Sequence, residues 1–76
     1  MKNEAFEEKC MDVIEAVVSM NSRMNRYGAI KISKILLLKA KIVGNAEVIK
    51  IYERVYKEFE LASDDDYEML RKQIFE

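Results

Sequence analysis

Carboxylates, lysines and tyrosines are plentiful in this chain of 76 residues, but their spacing, with one cysteine and no histidine, works against most reactions. Histidine, the commonest general base and metal ligand, does not occur. Cys10 is the single thiol, so no intrachain disulfide forms and no zinc site can be built around it. It falls on an apolar helical stripe, where a thiol keeps a high pKa and stays inert. Gly28 and Gly44 stand alone and cannot make a phosphate-cradling loop. The run Asp64, Asp65, Asp66, with Glu68, has calcium-loop composition. A loop begun at Asp64 or Asp65 lacks its turn glycine, however, and one begun at Asp64 places Phe75 where the bidentate glutamate belongs. Ser63 and Asp66 are better read as a capping box, although Ser63 before three acids is also an acidophilic phosphorylation sequence. A di-carboxylate centre would need Glu-x-x-His pairs facing inward, and the glutamates lie off the apolar stripes. No catalytic, metal-binding or cofactor-binding residue is expected, and no cofactor; the expectation is a chain that binds without reacting.

Charge is the informative distribution. Between Ala16 and Ala46 there is no acid, while Arg23, Arg26, Lys31, Lys34, Lys39 and Lys41 supply six positive charges. The flanking segments carry net −3 and −4, so the overall −1 conceals a basic middle between acidic ends. Such a run is most often a solvated face. Its functional readings are an acidic protein surface and, second to it, a nucleic-acid backbone, with Arg23, Arg26, Lys31 and Lys34 as the patch. Short turns should bring Asp64, Asp65 and Asp66 to the same pole as that patch, and their neutralising effect counts against nucleic acid. Ala40 and Gly44 have the spacing of a helix-turn-helix, but Lys39, Asn45, Lys50 and Glu53 fill its apolar positions, which rejects that motif.

The elements that must carry these groups are helices. Proline is absent, and no segment alternates polar and apolar residues for long. Phe6, Cys10, Val13, Val17, Met20 and Met24, flanked by Ile14 and Val18, predict a first helix over about Asn3 to Arg26. Gly28 is expected to end it in the left-handed conformation. A second helix, about Ile30 to Val43, is apolar almost all round: Ile35, Leu38 and Ile42 share one face, and Ile32, Leu36 and Val43 the next. It therefore reads as a central helix covered on several sides. Gly44 and Asn45 predict a stop and an N-cap. A third helix over about Ala46 to Ala62 carries the stripe Val48, Tyr52, Val55, Phe59, Ala62, and a short fourth over about Asp64 to Phe75 carries Tyr67, Leu70, Ile74.

The expected architecture is an all-α, single-domain antiparallel up-down bundle spanning residues 1–76, three helices plus a short fourth, self-associating. So short a chain, without disulfide or metal, needs either close packing or a second copy. The apolar surplus of the second helix favours a homodimer, with Leu37, Leu38, Lys39, Tyr52 and Tyr56 as the apolar interface. In a monomer Lys39 would lay its stem along apolar surface and lift its ammonium into water. The charged N-terminal residues show no signal peptide, and the longest apolar run, Ile35 to Leu38, is too short to span a bilayer. A cytoplasmic location away from membranes is expected. The functional expectation is a non-catalytic protein-interaction module: an adaptor, a regulatory subunit or a stoichiometric inhibitor, of the kind common among phage and mobile-element accessory proteins. The alternative is a nucleic-acid-binding regulator.

Overall fold

The computed structural model describes residues 4–76, and all the regular structure among them is helical: α1 (Glu4–Val18), α2 (Arg26–Val43), α3 (Ala46–Leu61) and α4 (Asp64–Phe75). The starts of α2, α3 and α4 are side-chain caps. Asn25 Oδ1 accepts from the Gly28 N–H at 3.0 Å, Asn45 Oδ1 from the Val48 N–H at 3.1 Å, and Ser63 Oγ from the Asp66 N–H at 3.0 Å. Gly44 ends α2 at the stop expected there, in the left-handed conformation at φ 87°, and its N–H donates to the Ala40 carbonyl at 2.8 Å. The bounds of α3 and α4 fall within a residue of those expected from the sequence.

The first helix is shorter than its stripe implies, and the second begins earlier. The helix expected to run from Asn3 to Arg26 stops at Val18, and its expected first residue lies outside the described residues. Ser19, Asn21, Ser22 and Asn25 account for the stop, because short polar side chains offer the backbone alternatives to helical hydrogen bonds. Ser19 Oγ donates to the Ala16 carbonyl at 3.0 Å, and Asn21 Oδ1 accepts from the Arg23 N–H at 2.9 Å. Gly28 is not the left-handed terminator; it sits in the first turn of α2. A β-carbon there would lie 2.6 Å from Met24 Cγ, so this glycine gives Met24 room to fold over the start of the helix.

All four helices contribute to one apolar cluster: Cys10, Ile14, Val17 and Val18 from α1, Ala29 from α2, Ile51, Val55 and Phe59 from α3, and Tyr67 from α4. The rings of Phe59 and Tyr67 meet edge to face, centroids 6.0 Å apart. The expected central position of the second helix is a correction: α1 touches all three other helices, and α3 packs on α1 and most extensively on α2. The residues α2 buries fully are small, namely Ala29, Ser33 and Ala40; Ile30, Ile32 and Leu36 pack partly buried against the cluster, and Tyr27, Ile35, Leu38, Ile42 and Val43 are exposed. The chain measures 33 × 29 × 19 Å, and the thin direction accommodates about two helix layers. One side of α2 therefore meets the chain and the other faces outward.

Candidate functional site

Helical spacing assembles the outward face of α2. Tyr27, Lys31, Ile35, Leu38 and Ile42 recur at intervals of four, four, three and four, so they form one ridge along the helix. Their apolar members are 64, 53, 53 and 85 % exposed for Tyr27, Ile35, Leu38 and Ile42. Lys34 and Lys41 flank the ridge on one side and Lys39 on the other, all exposed. Lys31 falls within the ridge itself, and no acid lies on α2.

The residues expected to form an apolar interface are brought to three places rather than one. Leu38 lies on the ridge. Leu37 and Tyr56 line a groove between α2 and α3 of about 490 Å³, which Phe6 and Arg54 also border. Lys39 and Tyr52 line a second, about 320 Å³, with Leu36, Val43 and Val48. Lys39 thus borders apolar surface and remains exposed, as its position on the wheel implies. Sequence reasoning left Tyr27, Ile35 and Ile42 out of the interface set. The signal for Ile35 and Ile42 was present in their shared face with Leu38; Tyr27 joins that face only once α2 starts at Arg26.

The four residues of the basic patch also part company. Arg23, Lys31 and Lys34 are exposed, and Lys31 and Lys34 line a shallow hollow with Tyr27, Ile30 and Tyr56. Arg26 is committed elsewhere. Its Nε donates to Asp64 Oδ1 at 2.8 Å, and one terminal nitrogen donates to the Phe59 and Glu60 carbonyls at 3.2 and 3.3 Å. The hydrogen bond to Asp64 raises its pKa further. Its guanidinium also lies 4.9 Å from the centre of the Tyr27 ring. Of the acids at the start of α4, Asp64 meets the patch, at Arg26. Tyr56, beside Glu60, has its hydroxyl pKa raised by hydrogen bonding to that carboxylate and by its charge.

The single thiol, Cys10, is buried. Burial pushes the Cys10 thiol up, against a smaller opposing effect of Arg54. No three carboxylates or thiols among the described residues gather closely enough to hold a metal ion, and no helix among them is long and apolar enough to cross a membrane. Two hydroxyls among the same residues, Ser33 Oγ and Tyr67 Oη, are buried with no hydrogen-bond partner. No family model, curated protein or solved structure matches this chain. The outward face of α2 presents an apolar ridge bearing cations.

Proposed function

We propose that this chain is a non-catalytic helical interaction module, acting as an adaptor, regulatory subunit or stoichiometric inhibitor, and that the outward face of α2 is its docking surface. The single observation that carries the reading is the exposed ridge Tyr27, Lys31, Ile35, Leu38, Ile42 edged by Lys34, Lys39 and Lys41. A ridge of this shape fits a groove on a protein partner by the helix-in-groove mode, read through anchors at i, i+3 and i+4 spacing. Burying its four apolar side chains is worth roughly 1–2 kcal/mol each. Association itself costs about 4–15 kcal/mol, so the apolar line alone supports a weak contact and the lysines must meet acids to strengthen and orient it. The up-down arrangement belongs to the same proposal; short turns and the Arg26–Asp64 pair, which joins the starts of α2 and α4, support it.

Nucleic-acid binding is the second reading, favoured by the exposure of Arg23, Lys31 and Lys34 near one pole. The withdrawal of Arg26 to Asp64, with Asp65 and Asp66 adjoining, weakens it. A photo-crosslinking residue at Leu38 tests the first reading in lysate of the source cells. A protein adduct is expected, and it should disappear when Ile35→Glu and Ile42→Glu are introduced. Adducts indifferent to those two changes would refute the docking surface. Affinity for duplex or single-stranded nucleic acid that falls steeply with salt would favour the second reading instead.

A further inference from the structure

We infer that the occupant of the α2 ridge is a second copy of this chain, seated in the cleft that α1, α3 and α4 form without α2. The inference rests on the docking reading above and names its partner. The cleft, about 420 Å³, is lined by Met11, Ile14, Phe59, Leu61, Ala62, Tyr67 and Leu70, with Glu58 and Asp66 as its charged groups. No residue of α2 and no cation lines it. Leu61 at its edge is 84 % exposed, as open to water as Ile42 at the end of the ridge. On α1, Glu4, Glu8 and Glu15 share the helix face of Met11 and extend the acidic border.

Shape and charge match in one direction only. The ridge is convex, apolar and cationic; the cleft is concave, apolar and acidic. Ridge against ridge would set Lys31, Lys34, Lys39 and Lys41 of one copy beside the same lysines of another, with no acid on α2 to separate them. Cleft against cleft would oppose carboxylates in the same way. Ridge in cleft pairs lysines with Glu58 and Asp66 and covers both apolar strips at once, although Arg54 already shares Glu58 at 2.9 Å and reduces what that carboxylate offers. Such an interface is heterologous: each copy offers one face of each kind, so it propagates or closes into a ring rather than stopping at a two-fold dimer.

Two variants, each altered at exposed positions, separate the possibilities by sedimentation at millimolar protein and low salt. Leu38→Glu with Ile42→Glu disables the ridge, and Met11→Lys with Leu61→Lys disables the cleft. The unaltered chain is expected to sediment above monomer mass and to dissociate as salt rises. Each variant alone should be a monomer, with association weakened about tenfold or more. Their equimolar mixture should give a one-to-one dimer and nothing larger, since only one ridge and one cleft remain intact. A cleft variant that associates as strongly as the unaltered chain would overturn the inference in favour of ridge-on-ridge pairing, and a chain that stays monomeric throughout would overturn it too. In either case retained, ridge-dependent crosslinking to another protein leaves the docking surface standing. Circular dichroism checks that the double variants fold; if one does not, Ile42→Glu and Leu61→Lys singly, at the most exposed apolar positions, give the same comparison.

Discussion

Arg26 reaches 38 residues along the chain to Asp64, Nε to Oδ1 at 2.8 Å, and in the same reach donates to the Phe59 and Glu60 carbonyls at the end of α3. One planar guanidinium therefore ties the start of α2 to the α3–α4 turn. Carbonyls at a helix end have no intrahelical donor, so Arg26 serves α3 as well as Asp64. Arg26→Ala should lower the midpoint of thermal unfolding more than Asp64→Ala, because it removes the carbonyl contacts too. Arg26→Lys should restore little, since an ammonium cannot reproduce the fork. Lys9→Ala, which breaks an exposed pair with Glu47, should change little. Melting curves of the four variants check the ordering.

Tyr67 is buried with its hydroxyl unpartnered, and its pKa is raised, chiefly by burial. Tyr67→Phe should therefore stabilise the chain by up to about 1 kcal/mol, since the buried hydroxyl goes and the ring contact with Phe59 stays. Ser33→Ala should act the same way, with helix propensity adding a few tenths of a kcal/mol. Phe59→Ala, by contrast, should cost about 3–5 kcal/mol, a large part of the roughly 5–15 kcal/mol a small domain has. Urea unfolding reads all three.

The two glycines should respond differently. Gly44 has φ 87°, and nothing lies within 4 Å of the point a β-carbon would occupy, so Gly44→Ala should cost about 1–2 kcal/mol from the backbone alone. Gly28→Ala would gain helix propensity but must displace Met24. Its cost should fall when Met24 is shortened to Ala, whereas Gly44→Ala should be indifferent to that change. A double-mutant cycle measures the coupling.

Alkaline pH should destabilise the fold. Cys10 and Tyr67 both have pKa values raised in the folded state, chiefly by burial. The folded chain then holds these protons to higher pH than the unfolded chain does. Their stabilising contribution is complete below the ordinary thiol and phenol values, about 8.5 and 10, and declines as pH rises past them. Stability measured from pH 7 to 11 should be flat first and then fall, and Cys10→Ala should remove the earlier part of the fall.

Much of the helical pattern was legible in the residues. Asn45, Ser63 and Gly44 announce their caps by type and position, and Tyr67, Leu70 and Ile74 announce the inward side of α4. The end of α1 was not legible, because Met20 and Met24 continue its apolar rhythm while Ser19, Asn21 and Asn25 stop it through local hydrogen bonds that a count of apolar spacings ignores. The ridge was half legible. Ile35, Leu38 and Ile42 visibly share a face, yet ranking faces by hydrophobicity turns that one inward. The chain instead turns Ala29, Ser33 and Ala40 inward, since small side chains let two helix backbones approach closely.

That seam of small residues has a thermodynamic corollary. Only Ala29, Ser33 and Ala40 of α2 are fully buried, with Ile30, Ile32 and Leu36 partly so, and α2 should therefore open locally at lower free energy than α3, whose Val55 and Phe59 are fully enclosed. Any ligand that seats on the outer side of α2 holds it shut by mass action. Amide exchange in α2 should therefore slow as ligand concentration rises, making the helix a gauge of its own occupancy while α3 stays constant.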